Sequence, residues 1–203
     1  GPAVVDILRA NGIQEVFGAL IFSNAADTRT RGLDIVGTYR AGLGSMGSAT
    51  FSLSANFNRT KFTSIDTLGI STAQFIGRNR QGDLSEGTPR DKFIANVLWE
   101  TGDFNMNLRA TRYGKIYARA GALSNATADW LPCTTPGTGD CTRQFVDNEV
   151  TPKVIFDLEA GYELTKGVKM TIGANNLFNI YPSKLKPASQ VGGQLFNAYA
   201  PYG

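Results

Sequence analysis

Ala49-Thr50-Phe51-Ser52-Leu53-Ser54-Ala55-Asn56-Phe57-Asn58 puts an apolar side chain at every second position and a polar one at each position between. A period of two over this length belongs to a β-strand whose two faces meet different surroundings, because successive side chains point to opposite sides of the pleat. Other segments repeat the pattern. Val154, Phe156, Leu158, Ala160 and Tyr162 oppose Lys153, Asp157, Glu159 and Glu163, with Ile155 and Gly161 as exceptions on the polar face. After a turn at Thr165-Lys166-Gly167, the set Val168, Met170, Ile172 and Ala174 opposes Lys169, Thr171, Gly173 and Asn175. Phe104, Met106, Leu108 and Ala110 alternate with Asn105, Asn107, Arg109 and Thr111. Leu33, Ile35 and Tyr39 oppose Asp34, Thr38 and Arg40, broken at Val36 and Gly37. Residues 16–22 and 93–99 read as strands of less certain facing, giving about eight strands in all. A short helical turn is expected over residues 4–10, ending near Gly12.

Connection lengths fall into two groups. Residues 42–47, 101–103 and 164–167 form short turns, whereas residues 61–90, 118–150 and 182 onward form long polar stretches. Short turns at one end of a set of strands and long loops at the other are the periplasmic and extracellular ends of an outer-membrane barrel. Compact soluble domains seldom carry several unstructured loops longer than roughly 12–15 residues. Tyr39, Trp99, Phe104 and Tyr162 sit beside the short turns, where amphipathic rings would form a girdle at the membrane–water boundary. The longest apolar run, residues 16–22, is far too short for a helical span of about 20 residues, so any membrane crossing is by strands.

Composition removes several functions. The net charge of +3 is small and dispersed, with basic residues single or in mixed groups such as Arg78-Asn79-Arg80, which argues against a nucleic-acid partner. The chain contains no His, so the usual zinc ligands, general base and serine-triad chemistry are missing. No catalytic residues, metal site or cofactor are assigned, and an enzyme is not expected. Cys133 and Cys141 bracket a stretch rich in turn formers, Pro136, Gly137 and Gly139. The spacing suits a disulfide closing an exposed loop in an oxidising compartment, worth roughly 2–3 kcal/mol in the loop-entropy account. Two free thiols are the alternative. Gly1-Pro2 reads as the remnant of a cleaved tag.

Three motifs resemble TonB-dependent receptors. Phe22-Ser23-Asn24-Ala25-Ala26-Asp27-Thr28-Arg29-Thr30-Arg31-Gly32-Leu33-Asp34 looks like the family's outer turn leading into a strand that begins Arg-Gly-(Val/Leu)-(Glu/Asp). Gly173-Ala174-Asn175-Asn176-Leu177-Phe178-Asn179-Ile180-Tyr181-Pro182 resembles the Asn-Leu-Phe-(Asn/Asp) segment at the end of the penultimate strand. Gly87-Thr88-Pro89-Arg90-Asp91-Lys92-Phe93, leading from a long loop into a strand, is also similar. The likeness covers nearly all of residues 3–203. It implies an all-β, antiparallel transmembrane β-barrel segment: about eight strands of a barrel of roughly 22, closed round an N-terminal plug domain. Residues 3–203 are expected to be its C-terminal portion, without the plug, the TonB-contacting segment or the last strand.

The resemblance further implies the bacterial outer membrane and uptake of a scarce nutrient with energy from the TonB complex. The ligand classes are siderophore–iron, cobalamin, haem, nickel chelates and oligosaccharides. Expected partners are outer-membrane lipid and lipopolysaccharide, the receptor's own plug, the TonB complex and the small ligand. Ligand contacts are expected from the long loops and the outer rim: Arg78, Arg80, Arg90, Tyr113, Arg119, Trp130, Arg143 and Tyr181. Arg grips anionic chelates by paired hydrogen bonds, and Trp or Tyr stacks on sugars or catechols. Asp34, Asp157 and Glu159 are read as lining water or facing the plug rather than as a catalytic pair. Two other readings stay open at this point: a complete small barrel acting as an adhesin or structural protein, and a soluble β-sandwich such as a carbohydrate-binding module, in which the apolar faces pack on each other.

Overall fold

The computed structural model describes residues 2–12, 26–66, 76–126, 141–190, 193–197 and 200–202. Six long strands form one antiparallel sheet in the order β1-β2-β3-β4-β9-β10. They are β1 (Ala26–Gly42), β2 (Ser48–Ile65), β3 (Asp91–Thr101), β4 (Phe104–Tyr113), β9 (Lys153–Thr165) and β10 (Val168–Ala174). Four short strands, β5 (Ile116–Ala118), β6 (Ser124–Ala126), β7 (Thr142–Gln144) and β8 (Asn148–Val150), pair as β5-β8 and β6-β7. Helix α1 (Pro2–Ala10) stops where Gly12 takes a φ of 82°, as the sequence suggested. The strand expected at residues 16–22 lies outside the described residues.

Register carries the alternation across the whole sheet. Leu33 lies opposite Phe57, Ile35 opposite Ala55, and Tyr39 opposite Phe51. Phe51 lies in turn opposite Val97, Leu53 opposite Ala95, and Ala55 opposite Phe93. Val97 then meets Leu108, Leu108 meets Leu158, and Ala160 meets Ile172. Polar partners line up on the other face: Asp34 with Asn56, Asn96 with Arg109, Arg109 with Asp157, and Glu159 with Gly173. Val36 and Gly37 do not break the geometry. Val36 points to the polar face opposite Ser54, and Gly37 occupies an apolar-face position opposite Leu53.

The apolar face is not covered. Ile172 is 74% exposed, Met170 63% and Leu53 57%. A β-sandwich would lay a second sheet on this face, and among the described residues none does so. Nor do the six long strands close on themselves, since β1 and β10 are the two edges of the sheet. A face of this size left bare in water would be an aggregation surface; against hydrocarbon it is the ordinary exterior of a barrel. The chain folds as a segment of an antiparallel β-barrel.

The short turns match expectation. Gly102-Asp103 joins β3 to β4 and Lys166-Gly167 joins β9 to β10, with Gly102 at φ 53° and Gly167 at φ 86°, where a Cβ would be strained. A single 3-10 turn, Gly44–Met46, sits between β1 and β2. The Trp99 indole N–H donates to the Met46 carbonyl at 2.8 Å, and its ring meets Phe104 edge-on at 5.7 Å. Tyr39, Trp99, Phe104 and Tyr162 share the apolar face near these turns, the arrangement a boundary girdle requires.

The long connections depart from expectation. Strand β2 runs on to Ile65, and residues 61–90 include helix α2 (Arg78–Glu86) rather than loop throughout. The stretch from 118 to 150 contributes β6, β7 and β8. The described parts of these segments, with β5, make a cap at the end of the sheet opposite the short turns. The fully buried side chains among the described residues, Ile116, Val146 and Val150, lie in this cap. Ile155, the exception on the polar face, is buried opposite Thr111.

Leu53 lies five residues beyond the first residue of β2. At about 3.4 Å per residue and a tilt near 40°, that is about 13 Å from the strand end, close to the middle of an apolar band about 25 Å tall. In the membrane-inserted barrel Leu53→Arg should therefore destabilise the fold by about 2–4 kcal/mol, and Ser52→Arg should cost well under half of that. Urea unfolding in bilayers measures both; equal losses would reverse the assignment of faces.

Candidate functional site

The cap is tied together by charge. Arg78, at the first position of α2, donates two hydrogen bonds to the Asp147 carboxylate, each 2.5 Å, and a third of 3.1 Å to the Ala120 carbonyl. Its guanidinium also lies over the Phe145 ring at 4.6 Å. Arg119 bridges the same carboxylate at 2.9 Å and Glu86, the last residue of α2, at 2.5 Å. The Ala120 N–H donates to Asp147 at 2.9 Å. Arg90 completes the group at 3.5 Å from Glu86. Gly82 allows the close approach of Arg119 to α2: a Cβ there would stand 2.5 Å from Arg119 Cγ.

Hydrogen bonds from Arg78 hold the Asp147 carboxyl well below the usual carboxylate range against the opposing effect of burial, with help from the Ala120 N–H and Arg119. Arg119 does the same for Glu86. Both carboxylates are thus held in the charged form by their cationic partners.

The structure brings Arg78, Arg90 and Arg119 into one network, and their charges are answered within the protein. Tyr113, the last residue of β4, faces the polar side of the sheet, with the Lys92 ammonium 5.2 Å above its ring and Tyr202 tilted against it at 5.1 Å. It borders a cavity of about 440 Å³ whose wall includes Arg109, Asp157 and Asn176. Tyr181 stands apart, stacked on Phe196 at 5.7 Å. Arg80 and Arg143 are exposed and form no ion pair among the described residues. Trp130 and Cys133 lie outside the described residues, and Cys141 lies just before β7.

Glu86 and Asp147 were not singled out in the sequence. A lone acid in a loop carries no periodic signal, and only the fold reveals that two arginines, 41 residues apart in number, reach one carboxylate. The polar-face acids also have specific partners. Asp157 pairs with Arg109 at 2.8 Å and accepts the Asn176 N–H at 2.9 Å, and Asp34 accepts from the Asn56 amide at 2.5 Å.

Asn176 opens a tight turn after β10. Its side-chain oxygen accepts the Ile180 N–H at 2.8 Å, and its amide donates to the Ile180 carbonyl at 2.9 Å. Asn176 and Asn179 both adopt left-handed φ values, 51° and 53°. The Leu177 N–H donates to the Phe156 carbonyl at 2.7 Å, and Phe178 meets Phe156 edge-on at 5.3 Å. This is the Asn-Leu-Phe-Asn segment noted in the sequence.

A scan against protein families matches residues 4–177 to the family described as TonB dependent receptor-like, beta-barrel. The chain belongs to this family. The match runs through all six long strands and ends inside the Asn-Leu-Phe turn. Comparison with curated proteins returns no match. TonB-dependent receptors are outer-membrane, receptor-type nutrient transporters rather than enzymes, and their family implies contact with TonB and a small ligand. Among the described residues no group of three or more metal-binding side chains exists, and no helix is long and apolar enough to cross a membrane.

In the receptor, Asp147→Ala should loosen the cap by roughly 1–2 kcal/mol, since it removes charge-assisted bonds from groups that are partly exposed. The Ala120 amide should then exchange with solvent about tenfold faster. Acid should act in the same direction. Both carboxylates titrate below their ordinary values of 3.8 and 4.5, so their contribution is complete above about pH 4.5 and is lost as pH falls through the depressed folded values. Amide exchange measured over pH, corrected for its intrinsic pH dependence, checks both statements.

Proposed function

We propose that residues 3–203 are the C-terminal part of the barrel of a TonB-dependent receptor that captures a scarce nutrient at the outer face of the outer membrane and imports it with TonB-supplied energy. The ligand is a siderophore–iron complex, cobalamin, haem, a nickel chelate or an oligosaccharide. The observation that carries this reading is the uncovered apolar face, continuous over six strands, backed by a polar face that ends under a folded cap. Lipid meets the first face; the plug and the ligand path meet the second.

Among the charged rim candidates, those with no ion pair among the described residues suit ligand contact best: Arg80 and Arg143. Tyr113 and Tyr181 offer ring faces for stacking. Arg78, Arg90 and Arg119 act on the ligand indirectly, by holding the cap in shape.

Deleting the parent gene and growing the strain on each ligand class as sole source identifies the cargo. Uptake of that cargo should vanish when TonB is deleted; accumulation that persists without TonB removes the active-transport reading. Once the cargo is known, Arg80→Ala and Arg143→Ala should each weaken its binding roughly tenfold with the cap intact. Arg78→Ala should instead increase amide exchange through α2. Isothermal titration and exchange measured on the same samples separate the two effects.

Cys133 and Cys141 are proposed to close their loop as a disulfide. The native receptor should resist maleimide labelling until a reductant is added. Modification of the unreduced protein would leave two free thiols.

A further inference from the structure

Above the apolar band the outward face of β1 and β2 changes character abruptly. Leu33 opposite Phe57 is the last apolar pair; Arg31 lies opposite Arg59 next, and then Arg29 opposite Lys61. Each step of two residues keeps the side chain on the same face, so these four cations stand directly above the lipid-facing stripe. All four are exposed. With Phe62 and Thr63 they line a cleft of about 330 Å³.

Like charges placed directly opposite each other across a ladder destabilise it. Here two such pairs are stacked, and none of the four cations has an ion pair among the described residues. Asp27, two residues from Arg29, accepts from Ser64 and forms no ion pair among the described residues, and Asp91 pairs with Arg112. Nor does the ladder splay apart to relieve the repulsion. Pairing continues to Ala26 opposite Ile65, and on the inner face Thr30 and Thr60 share a hydrogen bond of 2.8 Å between the two cation pairs.

The height of the cluster decides its partner. From Ala49 to Phe57 the apolar stripe of β2 covers eight steps. At about 3.4 Å per step and a tilt near 40°, that spans about 21 Å of membrane, close to the usual band of about 25 Å. Arg59 then lies about 5 Å beyond the stripe and Lys61 about 10 Å beyond, at the level of lipid headgroups.

We propose that Arg29, Arg31, Arg59 and Lys61 form a binding site for a phosphorylated glycolipid headgroup of the outer leaflet. The acyl chains lie along the stripe below, and the phosphate answers the paired cations. The proposal rests on the reading of the apolar face as lipid-facing.

The test uses the full-length receptor in phosphatidylcholine nanodiscs doped with bis-phosphorylated lipid A or with its dephosphorylated form, with bound lipid A counted by native mass spectrometry. The unaltered receptor should enrich the phosphorylated form and not the dephosphorylated one. The Arg29→Gln, Arg31→Gln, Arg59→Gln and Lys61→Gln variant should lose about tenfold of that enrichment, while Arg40→Gln with Lys169→Gln, at the short-turn end, should keep it. Equal enrichment in the fourfold variant, or enrichment indifferent to the phosphates, overturns the proposal. Displacement of the lipid by millimolar inorganic phosphate alone also overturns it, by marking a site for soluble anions. Heat-dependent electrophoretic mobility reports whether each variant has folded. Should the fourfold variant not fold, the unaltered receptor still decides: salt raised from about 0.05 to about 0.5 M should release most of the phosphorylated lipid, and retention overturns the site. A spin label at position 53 keeps the two readings apart. If the label meets lipid but lipid A is not enriched, only this site fails; if it meets water, the barrel reading fails with it.

Discussion

Everything in this chain depends on the pairing of backbone amides and carbonyls in an environment with no water to replace a missing partner. Each unpaired group in hydrocarbon costs several kcal/mol, so strands that cross must be laddered along their full length. The ladder then dictates the side chains. With a period of two, a slip of one residue would send every Leu and Phe to the aqueous side and every Asp and Arg into lipid. The irregularities fall where that cannot happen. One register shift lies between Asp27 and Thr28, beyond the far end of the apolar stripe, and the other between Val168 and Lys169, beside a short turn. Between them the faces stay in phase from Leu33 to Ile172.

That same constraint explains what was legible from the residues alone. Inside the band the two surroundings differ so strongly that composition must follow geometry, and the segments centred on Phe51, Met106, Leu158 and Ile172 were recognisable as strands with assigned faces. Outside the band the signal fades, because both faces meet polar surroundings. Strand β2 continues through Arg59, Lys61 and Thr63 to Ile65, where nothing apolar marks an outward side. Helix α2, Arg-Asn-Arg-Gln-Gly-Asp-Leu-Ser-Glu, has Leu84 as its one large apolar side chain and contains a glycine, so no apolar stripe announces it. Ion pairs to Asp147 and Arg119 hold it in place, and such pairs leave no period in a sequence.

The chain therefore follows two rules of stability. In the sheet the ordinary relation is inverted: large apolar side chains face out, and their burial is completed by lipid. In the cap the ordinary relation returns, with Ile116, Val146 and Val150 packed inside and charged groups near the surface. Reading arginines by residue type as ligand contacts works poorly across this boundary. Arg78 and Arg119 have the chemistry to grip an anion, and the anions they grip are the carboxylates of Asp147 and Glu86. Position in sequence did not separate them from Arg80, two residues along, which has no such partner among the described residues.

The turn after β10 gives a family-like motif a physical basis. Asn176 meets three demands at once: a left-handed backbone, an acceptor for the Ile180 N–H and a donor to the Ile180 carbonyl. Glycine would meet the first and neither of the others. Aspartate could accept but, ionised, could not donate; most other residues would be strained at this φ. Asn therefore suits the position better than either. Its backbone N–H in turn goes to Asp157, whose other oxygen is held by Arg109 from β4. The turn that ends β10 is thus fastened through β9 to β4, so the motif fixes where the chain leaves the membrane, and ligand chemistry need not be invoked to explain it.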